Sequence, residues 1–243
     1  MKHLTYTLSA FILFISLNAC AQNKRKGNGK IVTKERSIEK FDALKVAGSF
    51  NVELTSSMEN QISIYTDENL IEDIVTEVKK GVLIIRTKKN SYFKTSNRKS
   101  VKIKVPLVAL KEASLSGSGK IHSENTIVTT DFNASLSGSG KIVLAVEAKE
   151  TNAQLSGSGK INLKGKAEEV KAKLSGSGSI RLQGMPAIDA EASLAGSGSI
   201  YLSCSENLDA KVAGSGRIRY FEEPSGKIHT KVAGSGSIRL ATE

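Results

Sequence analysis

The chain has 243 residues, of which 39% are hydrophobic, 24% charged and 5% aromatic, with no Trp, two Cys and a formal net charge of +11. That is enough apolar material for one large domain or two small ones, and too much for a disordered chain. The scarcity of rings and thiols disfavours a base-stacking platform for single-stranded nucleic acid, a disulfide-stapled scaffold and a Cys-based zinc site.

Residues 1–19 read as a processing signal rather than as fold. Lys2 and His3 precede an uncharged run from Leu4 to Leu17, too short to span a bilayer comfortably. The run ends in Leu17-Asn18-Ala19-Cys20, which resembles a bacterial lipobox. The resemblance implies that Cys20 becomes a lipid-bearing N-terminus; an ordinary signal peptide cleaved near Ala19 or Ala21 is the alternative. Ala21 stands where an Asp would mark inner-membrane retention, so the sorting rules that this signal resembles imply an outer-membrane lipoprotein on the periplasmic or cell-surface face. Residues 20–37 are then an anchored flexible tether, polar and Gly-containing over 21–30. Only Cys204 remains after processing, so no intramolecular disulfide is expected. It falls on an apolar phase two residues beyond Leu202 and reads as a small buried hydrophobe.

Residues 38–110 read as a variant section that closes one end of the repeat region downstream. Val52-Glu53-Leu54 and Ile62-Ser63-Ile64-Tyr65 predict strands. Leu70, Ile71, Ile74, Val75 and Val78 recur at helical spacing, with Thr66 or Asp67 as N-cap, and predict a short helix over Asp67 to Val78. Val82-Leu83-Ile84-Ile85 and Val101 to Val105 predict two further strands, the second ended by Pro106.

Residues 111–243 carry a motif, Leu/Val-Ser/Ala-Gly-Ser-Gly-x-Ile, seven times. It begins at Leu115, Leu136, Leu155, Leu174, Leu194, Val212 and Val232, at spacings of 21, 19, 19, 20, 18 and 20. A degenerate copy lies upstream, where Lys45 to Leu54 matches Lys231 to Leu240 with Phe50 in place of one Gly. Within each copy every second residue is apolar or Gly, as from Ile188 through Ala190, Ala192, Leu194, Gly196, Gly198 and Ile200 to Leu202. Period two means extended strand with one face inward. The phase from Val170 to Leu182 would run roughly 40 Å if straight, longer than ordinary strands, so the chain must bend. Gly-Ser-Gly is the natural corner.

A twenty-residue coil that returns to its own register is a β-solenoid, with parallel strands stacked on their copies; the crossover rule favours right-handed winding. Hexapeptide coils lack their six-residue subperiod here, calcium-binding nonapeptide coils lack the Asp after Gly-x-Gly, and a sandwich would not demand this repeat. The expected fold is an all-β, right-handed parallel β-helix with one short helix in its N-terminal section.

The Gly-Ser-Gly coils, the Lys45–Leu54 segment, Asp67-Glu68-Asn69-Leu70 and the leader together resemble the auto-transporter adhesin family with the head GIN domain, over roughly residues 38–240. The resemblance implies a right-handed β-helix in the Gram-negative envelope and an adhesin-like role. No membrane-barrel pattern follows the last coil, so lipid anchoring is expected in place of self-secretion.

Stacking turns equivalent positions into columns. Ser116, Ser137, Ser156 and Ser175 form one; Ser118, Ser139, Ser158, Ser177, Ser197, Ser215 and Ser235 form another. These small residues suit a corner, and with only His122 and His229 beyond the leader no fixed base accompanies them for catalysis. "GSGK" at 117–120, 138–141 and 157–160 lacks the spacing of a phosphate-binding loop. A basic ladder comprises Lys120, Lys141, Lys160 and Arg217, with Arg181, Arg219 and Arg239 two positions further on. Ten more Lys and Arg lie between residues 79 and 104 without one acid. These cations either form a solvated face that resists edge pairing or attract acidic polysaccharide or lipopolysaccharide phosphates. An exported location argues against nucleic acid. Asp131, Glu150, Glu169 and Asp189 form an acidic column that resembles the calcium-holding acids of β-helix polysaccharide lyases; a solvated turn edge is the plainer account.

No cofactor, metal or catalytic residue is expected. The first reading is a non-enzymatic adhesin-like binder of glycans or other polyanions; a structural envelope scaffold and a polysaccharide lyase or hydrolase come after it.

Overall fold

The computed structural model describes residues 25–56, 60–96, 100–107 and 109–241. Cys20 and the leader lie outside the described residues. Each repeat contributes two strands separated by Gly-Ser-Gly, one leading into the corner and one leaving it, so the coils build two facing sheets. In the leading sheet Glu112–Gly117, Asp131–Gly138, Glu150–Gly157 and Glu169–Gly176 stack in parallel and in register. In the trailing sheet Lys120–Val128, Lys141–Glu147 and Lys160–Lys166 do the same. Further along the stack, Ser179–Gly196 and Ser199–Gly214 each run unbroken from the trailing sheet of one coil into the leading sheet of the next. Register shifts around Ala187 take the bend there. The β-solenoid expected from the repeat is therefore observed.

Register places like on like. Leu115, Leu136, Leu155, Leu174, Leu194, Val212 and Val232 form one column. Ile121, Ile142, Ile161, Ile180, Ile200, Ile218 and Ile238 form its counterpart on the other sheet. Both columns point between the sheets and are buried until the final coil. Ile188, placed on this inward phase by its sequence, is instead 43% exposed, because the shift beside Ala187 turns it out at the corner.

The corners explain the glycines. The first Gly of each motif adopts φ near +120°, +120° at Gly157 and +122° at Gly176, which other residues rarely take. A Cβ on Gly157 would lie 2.6 Å from the Gly138 carbonyl oxygen of the coil below. That oxygen accepts hydrogen bonds from the Ser158 and Gly159 N–H groups at 3.0 and 2.9 Å. The corner Ser thus binds the neighbouring coil through its backbone.

The N-terminal section adds coils out of chain order. Ala43–Ala47 and Asn51–Thr55, the degenerate copy, sit directly against Glu112–Gly117 and Lys120–Val128. Val82–Thr87 and Lys102–Pro106 form a further coil on the other side of that copy. The chain thus lays down its second coil first. Antiparallel strands then finish both sheets: Ile74–Lys79 on Val82–Thr87, and Gln61–Asp67 followed by Ile31–Ser37 on Lys102–Pro106. Among the described residues no helix is long and apolar enough to cross a membrane.

Two expectations are corrected by this arrangement. The helix is one 3-10 segment, Glu68–Asp73, and Ile74–Lys79 is a strand. The β-branched Ile74, Val75 and Thr76 favour extension, and Lys80 and Gly81, at φ 51° and 76°, make the tight turn that pairs this strand with its neighbour. Asp67 precedes the 3-10 segment without a side-chain capping bond; it accepts instead from the Gly29 and Ser96 N–H groups at 2.8 and 3.1 Å. Residues 20–37 are also not all tether. Arg25–Lys26 pairs with Phe93–Lys94, and Ile31–Ser37 covers the sheet edge that Gln61–Asp67 would otherwise leave unpaired. Arg36 locks this strand across the end of the stack, donating to the Ile71 and Ile74 carbonyls at 2.9 and 2.7 Å.

Candidate functional site

The trailing sheet turns alternate side chains outward, so its outer face is written by two columns. One runs Lys102, Asn51, Lys120, Lys141, Lys160, Ser179, Ser199, Arg217 and Ser237. The other, two residues along each strand, runs Lys104, Glu53, His122, Val143, Asn162, Arg181, Tyr201, Arg219 and Arg239. The predicted ladder residues therefore share one face, but in two groups. Lys120, Lys141 and Lys160 join Lys102 and Lys104 at the N-terminal end, and Arg217, Arg219 and Arg239 cluster at the C-terminal end. Ser179 and Ser199 separate the groups. Arg181 bridges the gap by lying over the Tyr201 ring, 5.5 Å from its centroid. At about 4.8 Å per rung, Lys120 to Lys160 covers about 10 Å of the stack.

Acids are scarce on this face. Among the described residues its one ion pair is Lys102–Glu53 at 2.9 Å. The Lys102 ammonium holds the Glu53 carboxyl below its ordinary value despite partial burial. His122 is held below the usual imidazole range by burial first and by the Lys120 charge second. Lys104, opposite Glu53 on the neighbouring strand, also lowers that carboxyl; the ladder residues Lys120, Lys141, Lys160, Arg181, Arg217, Arg219 and Arg239 make no ion pair among the described residues, and their field adds along the stack.

The leading sheet is different. Its outer face carries Glu112, Glu191 and Asp209 among Lys45, Lys171 and Lys211, and ion pairs neutralise much of this charge: Lys45–Glu112 at 3.4 Å and Lys211–Asp209 at 3.0 Å. The acidic column lies on this sheet in the expected register, Asp131 beside Glu150, Glu169 and Asp189. Three of its four members have side-chain partners. Lys171 bridges Glu150 and Glu169 at 3.1 and 3.0 Å, Asn152 donates to Glu150 at 2.9 Å, and Asn207 donates to Asp189 at 2.6 Å. Asn152 and Lys171 accordingly hold the Glu150 carboxyl below its usual value. The described residues contain no group of three or more His, Cys, Asp or Glu arranged to hold a metal ion.

The Ser columns lie exposed along the corner, and three members of the first line a shallow depression with Leu136, Leu155 and Leu174. Cys204 is fully buried, and burial pushes its thiol up to about 11, which makes it a poor nucleophile.

Sequence reasoning missed the sidedness of charge and a cavity at the N-terminal end of the basic face. Phe50 is the signal that could have revealed a cavity at that corner, which it lines with Gly48, Tyr92 and Val101. Where other coils have a second corner Gly pressed on the coil below, Phe50 inserts a buried ring, and the coil beneath it closes through a long segment between Thr87 and Lys102 instead of a tight corner.

Several solved structures resemble this one. A putative adhesin from Bacteroides fragilis superposes with a TM-score of 0.81 at 24% identity, covering 89% of this chain and 99% of that one. A putative lipid binding protein from Parabacteroides distasonis gives 0.74 at 28% identity, covering 90% and 100%. A putative adhesin from Parabacteroides merdae gives 0.70 at 26%, covering 89% and 98%. No curated protein matches the chain. The model of one family spans residues 40–224, from the degenerate coil through the sixth Gly-Ser-Gly corner, and by that match the chain belongs to the family described as putative auto-transporter adhesin, head GIN domain.

Proposed function

We propose that this protein is a non-enzymatic envelope lipoprotein, anchored through Cys20, whose trailing sheet binds acidic polysaccharide. The observation that carries the reading is the one-sided charge: in-register cations stand on an outer face almost without acids, while the acids gather on the opposite sheet, where Lys45, Lys171 and Lys211 pair with four of them. A rigid stack presents Lys120, Lys141 and Lys160 at a fixed repeat, so a linear polyanion can meet them without ordering the protein first. Adhesin-family membership supports an exported location and a binding role. A lyase receives less support, because Lys171 already satisfies the carboxylates that calcium would need.

The test is binding of polygalacturonate to the full chain at rising salt, with lipopolysaccharide as a second arm. The Debye length falls from about 10 Å at 0.1 M to about 3 Å at 1 M, so affinity should collapse over that range. Replacing both Lys141 and Lys160 by Ala should weaken binding about tenfold, taking about 0.7 kcal/mol for each exposed contact. Affinity that ignores both salt and these substitutions refutes the reading. Preference for lipopolysaccharide would move the ligand to lipid-borne phosphates.

A further inference from the structure

Arg25–Lys26 forms a strap bound to the N-terminal end of the stack. It pairs in parallel with Phe93–Lys94, and the Arg25 N–H donates to the Tyr92 carbonyl at 2.8 Å. Asp73 holds both sides of this pairing, accepting from the Arg25 guanidinium at 3.0 Å and from the Ser91 hydroxyl at 2.7 Å. Asn69 secures the next residues: its side chain accepts from the Asn28 N–H at 3.0 Å and donates to the Lys26 carbonyl at 2.9 Å. Five residue steps separate Cys20 from Arg25, and a chain of that length reaches at most about 18 Å. With Cys20 anchored in lipid, this end of the stack is confined to the neighbourhood of the bilayer.

The surface beside the strap suits that position. Lys26 and Lys94 are partners in register and so point the same way, and Lys88 and Lys89 open the short loop that ends in Lys94. All four are exposed and make no ion pair among the described residues. Of the acids in the adjoining Glu68–Asp73 segment, Glu68 pairs with Lys30 at 2.8 Å and Asp73 with Arg25, which leaves Glu72. Tyr92 lies between these lysines and is 46% exposed. A Tyr ring, apolar in its body and polar at its tip, suits a membrane interface. Each Lys near an anionic lipid surface adds about fivefold in affinity.

We propose that the N-terminal end of the solenoid docks on anionic phospholipid headgroups of the membrane that holds the anchor, through Lys26, Lys88, Lys89, Lys94 and Tyr92. The inference rests on the reading of Cys20 as lipidated. Docked in this way the stack stands upright, and its basic sheet runs away from the bilayer and stays open to polymer. The rival arrangement lays the basic sheet flat on the lipid and covers it.

The chain has no Trp, so Tyr92→Trp introduces a single fluorescent reporter. Phe221→Trp supplies another at an exposed position seven rungs beyond Lys102–Pro106, about 34 Å along the stack. The lipidated full chain of each variant is reconstituted in phosphatidylcholine vesicles with and without phosphatidylglycerol. With phosphatidylglycerol present, the Tyr92→Trp emission should shift to the blue and be quenched by brominated lipid, and the Phe221→Trp emission should do neither. Replacing Lys88, Lys89 and Lys94 by Ser should abolish the Tyr92→Trp response. In the full chain carrying Cys20→Ser, the same three replacements should lower partition onto phosphatidylglycerol vesicles about a hundredfold. Tyr92→Trp emission that stays water-like, or that keeps its shift without the three lysines, overturns the docking. Shifts at both positions mean that the basic sheet lies flat, and overturn it as well. Flotation with pure phosphatidylcholine vesicles judges the anchor separately. If Cys20→Ser leaves flotation unchanged the anchor falls, while a lysine-dependent shift at Tyr92→Trp still upholds the docking surface.

Discussion

Three Gly→Ala substitutions, each adding the same single methyl group, test whether the corners are set by backbone contact. At Gly157 two costs combine. Its φ of +120° is strained for Ala, at about 1–3 kcal/mol. Its new Cβ would also meet the Gly138 oxygen at 2.6 Å, and moving away weakens the bonds that this oxygen accepts from Ser158 and Gly159, each worth about 1 kcal/mol. The expected loss is about 3–5 kcal/mol. At Gly159 the backbone is ordinary, and the cost comes from contacts at 2.7 Å with the Gly140 oxygen and the Leu136 Cδ2, an overpacking penalty of about 1–3 kcal/mol. At Gly184 the nearest atom is the Lys164 Cβ at 3.5 Å, so Ala should be neutral or should stabilise by up to about 1 kcal/mol through the unfolded chain. Urea unfolding followed by circular dichroism orders the variants. Because each coil contacts only its neighbours, amide exchange should show the Gly157→Ala damage concentrated in residues 131–176. Equal stability of Gly157→Ala and Gly184→Ala would refute the contact argument.

Buried groups give two further expected outcomes. Burial alone would raise the Asp67 carboxyl, but hydrogen bonds from Ser96 and Gly29 outweigh it and hold the group below its ordinary value. The resulting stability is complete above the usual aspartate range and is lost as pH falls through the lower folded value, so the protection of the Gln61–Asp67 amides relative to their intrinsic exchange rate should fall in acid, and Asp67→Asn should flatten that response. Cys204, with its thiol pushed up to about 11, should resist iodoacetamide at pH 8 in the folded protein and react once urea unfolds it; rapid labelling under native conditions would refute its burial.

The N-terminal section shows where pattern misleads. Leu70, Ile71, Ile74, Val75 and Val78 fit a helix as a pattern, yet Ile74–Lys79 extends because the edge of Val82–Thr87 needs a partner and the Lys80-Gly81 turn supplies one two residues away. Ile188 fits the inward phase but turns outward where neighbouring coils differ in length and the register shifts. The first error arises where a segment pairs with something other than its own copy, the second where copies of unequal length meet.

For the repeat coils, sequence alone determined the structure: alternation chose the inward face, glycine pairs chose the corners, and repetition fixed the register, since each coil's best partner is another coil like itself. That is why the Leu, Ile, Lys and acidic columns could be read in advance. Tertiary structure decided what depends on unlike partners. It placed Val82–Thr87 and Lys102–Pro106 outside the earlier Ala43–Ala47 and Asn51–Thr55 coil, put Lys171 between two carboxylates, segregated charge between the sheets, and opened a cavity beside Phe50. The outer N-terminal coil and the cavity rest on contacts between segments that share no repeat, and the Lys171 bridge and the segregated charge rest on positions where successive copies carry different residues.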